Sequence, residues 1–271
     1  MFEEYGAGSS TVNTIQSQMA KMVLLAVEEY KKITQLRSDL WTEIHRGSDS
    51  LNNWLRELPA SLHLSALGET DTDLTPQQVT AIYLMHTLFI DTHLLLYFRF
   101  IDFSYRSDAN ADGLAIERIF LDMPHSIFST YTEFSIQLAR IIALLYDQEK
   151  VFARCWMVIH ATFDAMSMML LSVCQTYYTS YESDIPQMMN LLDSCFRVLR
   201  FCSESDFVAS RFVDMLTPTF FDVQSFDRLH EPDRMSISYV LNIEQVDQAA
   251  IRHTLCQLLE IISIERHKAW I

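Results

Sequence analysis

The chain has 271 residues, enough to bury a sizeable core in one large domain or two modest ones. Almost half of it, 49%, is apolar, and only five glycines and six prolines interrupt it, too few for a turn-rich β-sandwich or a doubly wound α/β fold; the chain reads as all-α. A formal net charge of −15, from 35 acidic and 20 basic residues, excludes attraction to nucleic acid, whose binding needs clustered Lys and Arg.

Residues 1–11 contain Gly6, Gly8, Ser9 and Ser10 without an apolar period, which predicts a flexible tail; residues 12–271 read as one compact helical domain. Ile15, Met19, Met22, Val23, Ala26, Tyr30, Ile33, Leu36 and Leu40 recur at spacings of three and four and predict a helix from Val12 to Arg46. Gly47 is expected to end it, with Glu28, Glu29, Lys31 and Lys32 on its wet face. A shorter helix from Ser50 stops at Leu58-Pro59, because proline lacks an N–H and restricts the residue before it. Thr75-Pro76 then forms a strong helix start: Thr75 caps, Pro76 suits the first helical position, and Gln78 stands where a capping-box partner belongs. The helix from Pro76 to Phe103 is apolar nearly all round and should be central. Asp108-x-Asn110-x-Asp112-Gly113 has the opening spacing of a calcium loop but lacks the closing Glu, and reads as a surface turn.

Helical periodicity returns at 114–121 and 126–145, and again from Lys150 to Tyr178, a second apolar helix carrying Met157, Met166, Met168 and Met169. Asp184-Ile-Pro186 opens a helix through Phe201, and 205–216 forms another that should stop before Pro218. Residues 220–242 are the least regular, and 243–267 close the chain as an amphipathic helix. Two stretches, 82–101 and 155–174, are long enough to suggest membrane spans. Their ionisable residues argue instead for core helices, since a mid-span Asp costs about 2.5–3.5 kcal/mol. Cys155, Cys174, Cys195, Cys202 and Cys256 form no C-x-x-C pair and read as reduced, buried thiols. The acidic N-terminus lacks the apolar segment of a signal peptide, so an intracellular protein, nuclear or cytoplasmic and free of membrane, is expected.

Ionisable residues inside the two apolar helices are the candidate ligand-binding set: His86, Asp91 and His93 on the first, His160 and Asp164 on the second. His160 and Asp164 lie four apart and share a face, as His86 and His93 do. On one reading the helices face each other and the set lines a pocket for a small apolar effector or substrate, with His as a general base oriented by Asp. On the other, each His donates to a carbonyl or a neighbouring Asp in a satisfied core. No metal, cofactor or nucleotide motif accompanies them.

The order of certain segments resembles the regulatory "middle homology" domain of fungal zinc-cluster transcription factors. Trp54 and Leu58-Pro59 are similar to its "W…LP" element. Tyr83-Leu-Met-His86 and His93 resemble its two histidines on the following helix. Phe152–Cys174 resembles its next small-residue helix, and Cys195-Phe-Arg-Val-Leu with Ala209-Ser-Arg-Phe-Val its ending. Together they cover most of residues 36–216. His93 departs from the pattern, being followed by Leu94 and Leu95 rather than Arg-Pro, so that helix should continue. The cysteine-rich DNA-binding module is absent from this sequence, which reads as an excised regulatory fragment or a gene that kept the helical domain alone. The resemblance implies a regulatory domain acting through protein partners or a small effector, without direct DNA binding, and allows a homodimer. The alternative is a stand-alone enzyme on the same scaffold, acting on an apolar metabolite by acid–base chemistry.

Overall fold

A computed structural model describes residues 4–35, 40–68, 74–108, 125–179, 184–229 and 249–263, and all regular structure among them is helical. Helices α1 (Glu4–Gln35), α2 (Leu40–Glu57), α3 (Pro76–Asp108), α4 (His125–Asp147), α5 (Trp156–Thr179), α6 (Ile185–Ser203) and α7 (Phe207–Leu229) follow in order, and α8 spans residues 249–263. Two 3-10 turns, Ala60–Leu62 and Leu64–Gly68, connect α2 to α3.

α5 is the centre of the fold. It packs against α3, α4, α6 and α7, and every residue from Ala161 to Thr176 is buried. Its Ala, Ser and Thr residues suit that position: Thr162, Ser172 and Thr176 return their hydroxyls to the Val158, Met168 and Ser172 carbonyls, which pairs these three donors inside the core. α3 is the second core helix, held between α1 and α2 on one side and α4 and α5 on the other. Both are long and apolar enough to cross a membrane, yet 94% of the most apolar window of α5 and 61% of that of α3 are packed inside the protein. Burial against other helices accounts for their composition.

The start signals act as the sequence predicts. Thr75 Oγ1 accepts from the Gln78 N–H, while Gln78 Oε1 accepts from the Thr75 N–H at 2.7 Å, a complete capping box. Asp184 accepts from the Gln187 N–H at the start of α6. α3 also runs on through Leu94 and Leu95, as expected from the missing Arg-Pro.

Other boundaries differ from the sequence reading. α1 already begins at Glu4, inside the stretch expected as a tail. The helix expected over 12–46 is divided between α1 and α2, and Gly47 lies within α2 rather than at an end. A Cβ at Gly47 would stand 3.1 Å from Leu96 Cδ1 and 3.3 Å from Glu29 Oε2. The residue is glycine because α1, α2 and α3 converge there. Glu29, expected on the wet face, is buried in that junction and paired with Lys32 at 2.8 Å. Pro218 lies inside α7, which continues to Leu229. Proline in a helix costs about 3 kcal/mol, but Phe212, Leu216, Phe220, Val223 and Phe226 are all buried along one continuous stripe across it, and that burial offsets the penalty. The Asp108–Gly113 turn and the 114–121 segment extend outside the described residues, except for Asp108, the last residue of α3.

Candidate functional site

The polar set of α3 is anchored by its own surroundings. His86 is buried with Nε2 2.9 Å from the Leu62 carbonyl oxygen, so Nε2 carries the proton and donates. This bond ties α3 to the 3-10 turn that follows Leu58-Pro59. Trp54, also buried, lies against Phe89 with ring centroids 5.5 Å apart. The Trp-to-Leu-Pro element and α3 thus form one packed unit.

His93, wholly buried, sits in an aromatic box. It stacks on Phe134 at 4.6 Å, meets the edge of Phe89 at 4.9 Å, and has Nδ1 3.4 Å from the Ser48 hydroxyl of α2. Burial alone pulls its pKa down to about 3. Burial also lowers that of His86, against the opposing pull of the Leu62 carbonyl. Both rings are therefore neutral at pH 7. A conjugate acid with pKa near 3 belongs to a weak base, which does not suit His93 to proton abstraction near neutrality. Beside the box, Tyr97 and Tyr131 stack at 4.2 Å, and burial pushes the Tyr131 phenol up to about 12 and raises that of Tyr97 well above its ordinary value, so both stay protonated.

Asp91 is buried on α3 between the two histidines, and Asp164 is buried one turn after His160 on α5. His160 is only half-buried, and its ring edge meets Phe212 of α7 at 5.3 Å. The partners named for the α3 histidines belong to the 3-10 turn, α2 and α4, whereas His160 meets α7.

A second feature was not read from the sequence. The expected helix over 150–178 begins only at Trp156, and the freed turn carries Phe152, 72% exposed, and Trp156, 68% exposed. Next to it, the turn between α6 and α7 presents Phe207, 82% exposed, with Phe201 and Val208 beside it. The two turns are joined: Arg154 Nε donates to the Ser205 carbonyl at 2.9 Å, and Tyr146 meets Phe201 at 5.6 Å. Each turn is also fixed from within. Asp206 accepts from the Val208 and Ala209 N–H groups, and the Cys155 N–H bonds the Phe152 carbonyl. Glu149, at the end of α4, holds a left-handed φ of 56°, uncommon for a residue with a Cβ. Three large apolar rings thus stand in solvent on turns that backbone hydrogen bonds fix. The signal in the sequence was three aromatics beside short polar turns, hidden because Val151 to Trp156 fits a helical period.

All five cysteines are free, but only Cys174, Cys195 and Cys202 are buried as expected, while Cys155 and Cys256 are half-buried; burial pushes Cys195 up to about 12 and Cys202 up to about 11, which leaves those two unreactive. Among the described residues, no three His, Cys, Asp or Glu side chains gather closely enough to hold a metal ion. No family model, curated protein or solved structure matches the chain.

Proposed function

We propose that the chain is a helical regulatory module that works through protein partners and does not bind DNA itself. The observation that carries this reading is three large exposed rings, Phe152, Trp156 and Phe207, on two turns joined by the Arg154–Ser205 hydrogen bond. Trp and other aromatics dominate binding energy at protein interfaces. The same turns carry exposed Asp147, Glu149 and Glu204 beside exposed Lys150 and Arg154, which favours a partner with an apolar pocket and a rim of both charges. The resemblance to the regulatory domain of fungal zinc-cluster factors supports the same reading. The segments that carry it, Trp54 to Pro59 and Tyr83 to His93, are packed together as one unit, and their histidines have the surroundings of core residues rather than of a base poised on substrate.

Tethering tests the proposal. Fused to an unrelated DNA-binding domain, the chain should raise or lower transcription from a reporter carrying that domain's site. The purified chain should give no sequence-selective retardation of DNA at low salt. A silent fusion that is expressed and folded, or tight selective retention of DNA by the chain alone, contradicts the reading.

A further inference from the structure

Two of the five free cysteines lie beside the hydrogen bond that joins the two aromatic turns. Cys155 stands at the start of α5, half-buried, where its carbonyl accepts the Ile159 N–H at 2.9 Å. Cys202 lies in the last turn of α6 and is wholly buried. Its carbonyl accepts the Ser205 and Asp206 N–H groups at 3.1 and 3.0 Å, which closes the turn that follows. Arg154, next to Cys155 in the chain, reaches across to the Ser205 carbonyl of that turn. Cys155 also packs against the apolar core to which Cys202 belongs. The two thiols sense each other. Burial is the first reason that Cys202 resists ionisation, and the charge of a Cys155 thiolate is the second. Such repulsion acts through space and weakens with separation, so the sulfurs are neighbours. Among the described residues, Cys174, Cys195 and Cys256 answer to burial and to Asp222, Arg252 and Glu260, but to no second thiol.

We propose that Cys155 and Cys202 form a reversible disulfide site that fastens the start of α5 to the end of α6, closed by a small-molecule disulfide of the glutathione type. Cys155 is the thiol that such a molecule can reach, whereas Cys202 does not react by itself. Deprotonated Cys155 attacks one sulfur of oxidised glutathione, the S–S bond of the oxidant breaks, and one glutathione leaves as its thiolate. Cys202 then loses its proton and attacks the Cys155 sulfur of the mixed disulfide, and the second glutathione leaves. Two protein thiols are oxidised, one glutathione disulfide is reduced to two thiols, and the protons given up by the cysteines end on them. Little of Cys202 is ionised, but a more basic thiolate is the stronger nucleophile, and a neighbour in the same fold replaces a collision in solution. The bond holds together the turns that bear Phe152, Trp156 and Phe207 whatever those rings bind, so this inference stands apart from the regulatory reading.

Oxidised glutathione at millimolar concentration tests the proposal, with peptide mapping by mass spectrometry under non-reducing conditions. The wild-type chain should lose the free thiols of Cys155 and Cys202 together, with an unchanged circular dichroism spectrum, and yield a peptide pair joined through them that dithiothreitol separates. Cys202→Ala should leave glutathione on Cys155, and Cys155→Ser should leave Cys202 unmodified. Should Cys202→Ala fail to fold, the wild-type chain and Cys155→Ser decide the question. A wild-type chain in which Cys155 keeps its glutathione, neither thiol reacts, Cys202 joins a different cysteine, or the link forms only with loss of helicity overturns the proposal. Uptake of glutathione by Cys202 in the Cys155→Ser chain overturns it as well.

Discussion

At the scale of residues, burial is the largest influence on the protonation of His86 and His93. His93 binds a proton far more weakly in the folded chain than in the unfolded one, its pKa falling from an ordinary 6.5 to about 3. Between these values the unfolded state holds the extra proton, so the contribution of His93 to stability is full above pH 6.5 and is lost as pH falls towards 3. The loss amounts to about 1.4 kcal/mol for each pH unit. Urea unfolding between pH 4 and pH 7 should show His93→Phe losing less stability than wild type as the solution is acidified; parallel pH profiles would place the ring in a wetter environment than its aromatic box. Another buried group lay outside the sequence reading. Asp102 accepts from Ser263 at 2.7 Å and from Arg99 at 2.7 Å, joining α8 to α3. Asp102→Ala should cost about 1.5–3 kcal/mol by removing both bonds, and a denaturation midpoint unmoved from wild type would show that α8 is held by its apolar stripe alone. His86 could be read as a core residue from its place on an apolar helix, but its carbonyl partner could not. Ser48 lies 45 residues from His93 and Ser263 lies 161 from Asp102, and pairings at such separations depend on tertiary packing.

Individual helices were legible wherever local chemistry fixed them. Thr75, Pro76 and Gln78 supply every part of a capping box, Asp184 caps α6, and Pro59 ends α2 because nothing beyond it could repay a missing N–H. The misread boundaries are those where packing overrides local preference. Pro218 and Gly47 both discourage helix, yet one sits in a continuous buried stripe and the other beneath the Glu29 carboxylate and Leu96. Gly47→Ala gains helix propensity while crowding two flexible side-chain ends, so the two effects oppose each other. Gly47→Val has no such room. It should lower stability by about 1–3 kcal/mol through overpacking, measured by thermal or urea unfolding; a variant as stable as wild type would mean that α1 and α2 can separate at this point. Trp54→Ala should cost about 3–5 kcal/mol, since its buried ring fastens α2 to Phe89. Little change in the unfolding midpoint would reduce the Trp-to-Leu-Pro element to surface decoration.

For the whole molecule, the sequence made the fold class and its two central helices readable because glycine, proline and apolar period all point one way, and α3 and α5 do occupy the core. It did not reveal the outward surfaces. A period marks which residues are apolar, but not which of them the other helices leave uncovered, so the exposed rings of Phe152, Trp156 and Phe207 emerge only once the bundle is assembled. The claim that the chain acts through partners rests on those rings and is tested most directly by the triple change Phe152→Ala, Trp156→Ala and Phe207→Ala in the tethered reporter. These rings are largely exposed, so the unfolding midpoint should shift little, about 0.5 kcal/mol or less for each change. The predicted result is a reporter response lost with stability intact. A response as strong as that of the wild-type fusion, from a triple variant folded as well as wild type, would contradict it.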